Sequence, residues 1–267
     1  MTRRRFIADT WTATTATLTG DQAIHLARVL RAEPGQIYDI VSNGFLHRAE
    51  IISVSENQID FTLHEELQSD AALPLHLLLA VFKFDHMEWA IEKATELGIA
   101  RITPILARRT EKHLAQSALK RSDRWRRIAL EASKQSRRTD IPEIAAPLAL
   151  KQALEQETSP TRILLSETEQ STTLATALEN SRSGANVRVP HPEGWDENSP
   201  PTPINSAQTN SAQITHALAI GPEGGWTPEE ISLFTQHAWQ PVTLGPRILR
   251  AETAAIAAIA IAGSHFM

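Results

Sequence analysis

Two hydrophobic patterns divide the chain, and the first covers its N-terminal part. Runs rich in β-branched and aromatic residues, IYDIV, FLHRAEIISV and QIDFTLHEEL, alternate there with SNG and SEN turns, which predicts short strands. Ahead of them, TGDQAIHLARVLRAEPG predicts a short helix that Thr19 caps and that stops at Pro34 and Gly35. We therefore expect a small β-barrel over residues 1–72, with a linker at 68–74.

The second pattern, from residue 73 onward, is typical of an α/β domain. LHLLLAVF is a continuous apolar run that suits a buried parallel strand, and ARITPIL predicts the next strand. Between them, DHMEWAIEKATELG predicts a helix that Asp85 caps and Gly98 ends. Residues 73–267 should therefore form an α/β domain with a mainly parallel sheet. Further strands are predicted at TRILLS, HALAI and QPVTL, and further helices at about 122–137, 228–238 and 249–262.

Residues 181–213 match neither pattern. Five prolines and many Ser, Asn and Gln residues occupy this segment, SRSGANVRVPHPEGWDENSPPTPINSAQTNSAQ. Such a composition is typical of a long surface excursion between two elements. We interpret the segment as a surface insertion, and a specific binding role is the alternative.

Charge changes the picture, because it is unevenly distributed. The whole chain carries a formal net charge of −5, yet residues 101–138 hold twelve Lys or Arg against three Asp or Glu, a local charge of +9. A basic zone on an acidic protein indicates a polyanion site better than the average charge does. Most of this zone is simply a solvated helix face, but QSRRTDIP places Gln135, Arg137 and Arg138 in a loop near a strand end.

Composition excludes several classes of chemistry. The chain has no cysteine, which excludes disulfides, thiolate metal sites and cysteine nucleophiles. Its histidines show no spacing typical of a metal site, so we expect no metal. The start, MTRRRFIADTW, lacks the apolar segment of a signal peptide, and TAAIAAIAIAG is shorter than the roughly eighteen apolar residues of a membrane span. We expect a cytoplasmic protein with no membrane contact.

Three predicted strands end in loops with unusual residues. RILLSET ends at Ser166 and Glu167, ALAIGPEGGWTPEE continues into residues 221–225, and VTLGPRILRAET continues into residues 245–253. Open α/β sheets bind ligands at the carboxyl ends of their strands. We therefore expect these three loops to converge on one pocket.

The glycine loop is the most informative of the three. Gly221, Gly224 and Gly225 allow a positive φ and let a ligand approach the main chain, although a plain strand-to-helix turn is the alternative. Thr227 and Glu230 then have the spacing of a capping box. No G-x-G motif and no P-loop, the usual glycine-rich nucleotide-binding motifs, occurs in the chain. A nucleoside-bearing cofactor would therefore have to bind through a different motif.

The third loop carries the charges Arg247, Arg250 and Glu252 close together. A surface ion-pair cluster is the simplest interpretation of these residues alone. The helix that follows is apolar nearly all round, however, and should be buried, so charges at its entrance would be costly without a purpose.

Assembled, these segments resemble the RsmE family of ribosomal RNA methyltransferases, which belongs to the SPOUT superfamily. The matching stretches run nearly end to end: RRFIAD, HLARVLRAEPG, EKATELGIARITPILARRT, RWRRIALEASKQSRRTDIPEI, IGPEGGWTPEEI and LGPRILRAETA. The segment 181–213 looks like an insertion relative to the compact family pattern.

The resemblance implies a PUA-like barrel that grips RNA, followed by a parallel-sheet domain with a trefoil knot, which no periodicity would reveal. It implies S-adenosylmethionine as the methyl donor and a homodimer with the C-terminal helix near its interface. The implied reaction is methylation of uridine N3 in 16S ribosomal RNA, either free or in the assembled small subunit.

The resemblance also implies roles for individual residues. Contacts with the cofactor are expected from Leu165, Ser166, Glu167, Ile220, Gly221, Pro222, Glu223, Gly224, Gly225, Leu244, Gly245, Arg247, Ile248, Leu249 and Thr253. Contacts with RNA are expected from Arg3, Arg4, Arg5, His25, Arg28, Arg31, Arg108, Gln135 and Arg137.

The chemistry narrows the catalytic candidates. Methylation of a pyrimidine C5 normally uses a cysteine, which is absent, so N- or O-methylation remains. Loss of the N3 proton leaves an anion that an arginine would stabilise, and we expect Arg250 first, then Arg138 and Arg109. Glu252 is expected to orient an arginine, with a role as the base as the alternative. Because N3 lies on the pairing edge, the uridine must be unpaired or flipped out.

Two other functions stay open. In the first alternative, the chain is a knotted methyltransferase of this kind that acts on a different RNA atom, such as a ribose 2′-hydroxyl. In the second, the chain is a non-catalytic RNA-binding factor in ribosome assembly, which would be expected to lose the loops that are intact here.

Overall fold

The computed structural model describes residues 5–69, 71–184 and 214–266. The predicted insertion therefore lies outside the described residues from position 185, and its first residues still belong to a helix that runs to Gly184. Arg3 and Arg4, two of the RNA-contact candidates, also lie outside the described residues.

Within the described ranges, six strands form the N-terminal sheet, in the order β1-β4-β5-β6-β3-β2. Strand β1 is parallel to β4 and the other neighbours are antiparallel. The predicted small barrel is thus a curled sheet that stays open between β1 and β2. The strands are β1 (Arg5–Ile7), β2 (Thr10–Trp11), β3 (Thr15–Thr19), β4 (Ile37–Ser42), β5 (Phe45–Val54) and β6 (Gln58–Leu67).

The curled sheet closes over a helix that lies between β3 and β4. This helix, α1 (Gly20–Ile24), continues as a π-helical turn (His25–Val29), and Leu26 is fully buried against the sheet. Thr19 occupies the predicted N-cap position, with extended backbone angles, but its side chain makes no capping hydrogen bond. Its hydroxyl instead donates to a carboxylate oxygen of Asp9 at 3.1 Å, which ties two neighbouring segments together.

The second sheet is parallel throughout, as predicted. Its order is β10-β8-β7-β12-β11-β13, with β9 beside β8. The apolar runs LHLLLA and HALAI form its centre, where nearly every side chain is buried. The strands are β7 (Leu73–Ala80), β8 (Ile99–Leu106), β9 (Glu143–Ile144), β10 (Leu148–Ala149), β11 (Thr161–Leu165), β12 (His216–Ile220) and β13 (Gln240–Val242).

Helices cover both faces of this sheet. One core contains side chains of α2, α3, α5 and α7, and a second core on the other face contains those of α4 and α6. The helices are α2 (Phe84–Glu96), α3 (Lys112–Ser136), α4 (Leu150–Gln156), α5 (Leu174–Gly184), α6 (Pro228–Gln236) and α7 (Ala251–Phe266). No helix in the described ranges is long and apolar enough to cross a bilayer.

The ends of α2 test two sequence predictions. Gly98 follows the helix with φ of 96°, a conformation that suits glycine, so its predicted role in ending the helix is confirmed. The predicted cap at Asp85 is wrong. Lys83 occupies the N-cap position, and Asp85 lies in the first helical turn, where its charge interacts favourably with the helix dipole.

Candidate active site

The predicted strand-end loops converge on one cavity of about 1070 Å³. It lies at the carboxyl ends of β7, β11, β12 and β13, which the sheet order brings side by side. Thr253 is the exception among the cofactor candidates: it lies within helix α7, exposed and outside the lining. The candidates that do line the cavity are Leu165, Ser166, Glu167, Ile220, Gly221, Pro222, Glu223, Gly224, Gly225, Leu244, Gly245, Arg247, Ile248 and Leu249.

The three glycines after β12 are needed for different reasons. Gly225 has φ of 69°, the positive value predicted for this turn. Gly221 and Gly224 are instead in close contact with side chains of the same chain. A Cβ at Gly221 would lie 3.1 Å from the indole Nε1 of Trp226, and one at Gly224 would lie 3.2 Å from Cδ of Arg109.

The capping box that follows the glycine loop is confirmed. The Thr227 hydroxyl accepts a hydrogen bond from the Glu230 backbone N–H at 3.3 Å, and the Glu230 carboxylate accepts one from the Thr227 N–H at 2.9 Å. The same buried carboxylate also accepts from the Arg108 N–H at 2.7 Å. Glu230 therefore fastens the start of α6 to the loop after β8.

The loop after β8 contributes one of the predicted arginines to the cavity. Arg109 lines it, and its Nη1 donates to the carbonyl oxygen of Gly224. Its neighbour Arg108 is exposed and lies outside the lining, so only its backbone is part of this arrangement.

The loop after β13 exposes the remaining candidate cations. Gly245 has φ of 116°, and its N–H donates to the Thr243 hydroxyl at 3.1 Å. Arg247 and Arg250 line the cavity and are both exposed. Within the described residues the Arg250 guanidinium has no hydrogen-bond or ion-pair partner, so it is available to a ligand.

The sequence suggested that Glu252 orients an arginine. Within the described residues it lies beside a histidine instead. It is 2% exposed at the start of α7, and its Oε1 lies 3.1 Å from Nδ1 of His86 on α2. Its other oxygen, Oε2, is buried without a hydrogen-bond partner in the described part of the chain. The carboxylate is thus directed at an imidazole that lines the cavity.

The cavity also carries negative charge. Glu167, Glu169 and Glu223 line it, and Glu223 lies 3.7 Å from the ammonium of Lys83. Hydrogen bonds from the Ser171 hydroxyl and from the Thr172 and Ser171 N–H groups lower the pKa of the Glu169 carboxyl to about 2. At neutral pH this carboxylate is therefore ionised.

Several residues of the cavity lining were not predicted from the sequence. Lys83 and His86 follow β7, at the carboxyl end of a parallel strand, where open α/β sheets bind ligands. This position is the signal in the sequence that could have identified them. Further residues of the lining not selected from the sequence are Thr168, Glu169, Gln170, Thr173, Trp226, Ile231, Val242, Thr243 and Ala254.

Arg138, predicted as a catalytic candidate, lies outside the cavity lining. It lies near the amino ends of the strands, with its side chain 8% exposed. Its guanidinium donates to the carbonyl oxygens of Thr95 at 2.6 Å and Ile99 at 2.9 Å, and it pairs with Asp140. These bonds hold Arg138 as a link between α2, β8 and the end of α3, outside the cavity of the same chain.

The other RNA-contact candidates also lie away from the cavity. Gln135 and Arg137 end α3, and the Arg137 carbonyl oxygen accepts a hydrogen bond from Arg5. His25 lies in the π-helical turn, and Arg28 there is exposed, 3.7 Å from Glu56. Arg31 has a positive φ of 51° just after this turn. No group of three or more potential metal ligands occurs in the described residues.

Comparisons with known proteins agree with this architecture. Residues 69–263 match an RNA methyltransferase domain family, and residues 18–63 match an RNA methyltransferase PUA domain. The chain is 34% identical to a ribosomal RNA small subunit methyltransferase E of Synechocystis, over 92% of this chain and 72% of that protein. It is 30% identical to one of Bacillus subtilis, over 92% and 89%.

A solved structure shows the same likeness in three dimensions. It is a ribosomal RNA small subunit methyltransferase E from Neisseria gonorrhoeae bound to S-adenosyl methionine, which is 26% identical. The two structures superpose with a TM-score of 0.70, covering 97% of this chain and 96% of the other.

Proposed function

Since the chain belongs to the RNA methyltransferase family that matches residues 69–263, it is an S-adenosylmethionine-dependent methyltransferase of small-subunit ribosomal RNA, and we propose that it methylates N3 of a uridine in 16S RNA. The observation that carries this proposal is the convergence of the three strand-end loops on one cavity. The chain's complete lack of cysteine supports N3 over C5 as the acceptor.

The loops have the chemistry to hold a sulfonium-bearing nucleoside. The main chain at Gly224 and Gly225, apart from the Gly224 carbonyl and the Gly225 N–H that are already hydrogen-bonded, would bind polar atoms of the donor. Ile220 and Leu249 would contact its apolar faces. The carboxylates of Glu167 and Glu169 would attract its positive charge. When bound, the donor supplies an electrophilic methyl group. The residues selected from the sequence are proposed as the cofactor site, with Thr253 excepted.

Arg250 is the proposed catalytic arginine. Of the three arginines named from the sequence, Arg138 lies outside the cavity and Arg109 is engaged with the Gly224 carbonyl. Arg250 has no partner among the described residues and faces the cavity. A guanidinium there would stabilise negative charge on O2 or O4 of the uridine as N3 loses its proton.

RNA binding is proposed for the N-terminal unit, residues 1–72, whose family match is a PUA domain of RNA methyltransferases. His25, Arg28 and Arg31 cluster around its π-helical turn and would contact phosphates. Arg5 and Arg137 join this unit to residues 73–267 through their hydrogen bond, so RNA held by one unit is kept near the other.

We also propose a homodimer that acts in the cytoplasm, where ribosomal subunits are assembled, and a trefoil knot in the C-terminal domain. Support for the dimer comes from α7, since Ile256, Ala257 and Ile261 on this apolar helix remain partly exposed. Exposed apolar surface on a helix of this kind is typical of protein interfaces.

The decisive experiment identifies the modified nucleoside. Purified protein is incubated with labelled S-adenosylmethionine and small subunits that lack the modification, and the RNA is then digested to nucleosides. We expect labelled 3-methyluridine. A ribose-methylated product would support action on a different RNA atom, and no transfer would support the non-catalytic assembly factor. The same assay with protein-free 16S RNA distinguishes free RNA from the assembled subunit as the substrate.

A further inference from the structure

The His86 imidazole lies between a buried carboxylate and the cavity. Nδ1, its buried nitrogen, lies within ion-pair distance of Oε1 of Glu252, at 3.1 Å, and makes no hydrogen bond within the described residues; the Glu252 side chain is only 3% exposed. The ring as a whole remains 31% exposed and lines the cavity, which leaves Nε2 as the nitrogen that a ligand can meet. A buried carboxylate at this distance stabilises the positive charge that an imidazole gains when it takes up a proton.

We infer that His86 is the general base that removes the uridine N3 proton, and that Glu252 is its positioning residue. The inference rests on the proposed function, since it requires a uridine in the cavity. Glu252 lies beside Nδ1, so Nε2 is left to accept the proton from the substrate, and the carboxylate charge stabilises the imidazolium that results. The choice of an imidazole over the carboxylate itself follows from burial, because Glu252 is enclosed behind the ring.

The proposed step transfers one proton to His86 and one methyl group to the uridine. The N3–H bond of the uridine breaks and its proton passes to Nε2 of His86. The N3 electron pair forms a bond to the methyl carbon of the donor, and the carbon–sulfur bond breaks with its pair retained by sulfur. The products are 3-methyluridine, a neutral thioether and a protonated His86, whose charge the Glu252 carboxylate balances. Release of that proton to solvent restores the site.

The surroundings of His86 are consistent with this role. Asp85, its neighbour on α2, has a carboxylate oxygen 3.7 Å from Nε2 but is 78% exposed, so a substrate can displace that contact. The other charged side chains of the cavity lining are Lys83, Arg109, Glu167, Glu169, Glu223, Arg247 and Arg250. Arg250 would hold the uridine oxygens while His86 takes the proton, which divides the two tasks between two residues.

The test is a pH series of single-turnover methyl transfer with His86→Gln, Glu252→Gln and the wild type. His86→Gln keeps a polar side chain of similar reach at a partly exposed position and should leave folding intact. We expect about a hundredfold loss of rate at neutral pH in His86→Gln, with recovery toward the wild type as the pH rises and the uridine loses its proton unaided. Glu252→Gln should give a smaller loss. The affinity for S-adenosylmethionine, measured by calorimetry, should not change in His86→Gln.

His113→Gln is the matched control, since this histidine is 72% exposed on α3 and lies outside the cavity lining. It should behave as the wild type. An unchanged rate in His86→Gln, or a loss of the same size at every pH, would show that His86 is not the base. Such a result leaves 3-methyluridine formation by the wild type intact, whereas a wild type that forms no 3-methyluridine overturns both proposals together.

Discussion

Arg109 donates a hydrogen bond through Nη1 to the carbonyl oxygen of Gly224, which stands 115 positions further along the chain. The loop after β8 is thereby joined to the glycine loop after β12. Glu230 makes a second connection between the same two loops, through the Arg108 N–H. Because loops fixed at two points lose little entropy on binding, this part of the cavity is preorganised for a ligand.

Replacement of Gly221 by alanine tests the rigidity of this wall. The new Cβ would lie 3.1 Å from the Trp226 indole, which is 9% exposed and packs edge-on against Phe234. Because the packed ring would have to shift by a few tenths of an ångström against Phe234, we expect a loss of about 1–3 kcal/mol in the free energy of unfolding, measured with urea. Weaker donor binding should accompany it in calorimetry.

Gly224→Ala is the control for that variant. Its Cβ would approach Cδ of Arg109, a flexible side chain, at 3.2 Å. We expect a smaller loss of stability than in Gly221→Ala, because the arginine can shift by a few tenths of an ångström. Equal losses in the two variants would contradict the view that the Trp226 ring sets the fit.

The local features of the site could be predicted from the sequence because nearby residues determine them. The capping box at Thr227 and Glu230 depends on a spacing of three, and the positive φ of Gly225 depends on one residue. Strand ends follow from apolar runs, so the convergence of loops followed from the parallel sheet. A trefoil knot, which no local pattern encodes, was expected only through the family resemblance.

Three of the differences come from side chains that bind partners outside their own stretch of sequence. Asp9 takes the hydroxyl of Thr19, and two carbonyl groups near the end of α2 take the guanidinium of Arg138. The contact of Glu252 with His86 joins residues on two helices that are far apart in the chain. No periodicity or motif records such contacts, because they depend on how the elements pack.

Arg250→Ala separates the catalytic arginine from the donor site. Its guanidinium faces the cavity without a partner in the described residues, so its removal should leave the fold and the donor site intact. We expect the single-turnover rate to fall by about a hundredfold or more, with the affinity for S-adenosylmethionine nearly unchanged. Lys151→Ala, on an exposed part of α4, is the control. An unchanged rate would remove Arg250 from the mechanism.

Arg138→Ala distinguishes a structural arginine from a catalytic one. The change leaves the carbonyl groups of Thr95 and Ile99 and the Asp140 carboxylate without their shared donor. We expect a loss of about 1–3 kcal/mol in the free energy of unfolding. Donor affinity should be retained at temperatures where the variant is folded. A variant as stable as the wild type would show that these hydrogen bonds contribute little.

The buried pair of His76 and Glu157 makes stability depend on pH. Oε2 of Glu157 lies 2.5 Å from Nδ1 of His76, and Oε1 accepts from the Ser159 N–H at 2.8 Å. Burial alone would raise the pKa of the Glu157 carboxyl, but the hydrogen bond and charge of His76, with the bonds from Ser159, lower it to about 2.

Because this folded-state pKa lies below the ordinary value of 4.5, the ionised carboxylate stabilises the folded chain above that value. The contribution, about 3 kcal/mol, is lost progressively as the pH falls from about 4.5 toward about 2. Urea unfolding of the wild type and Glu157→Gln should therefore differ most at pH 7 and converge in acid. Glu155→Gln, at a half-exposed position, should match the wild type throughout. A Glu157→Gln deficit that stays constant with pH would mean that the carboxylate charge is not its source.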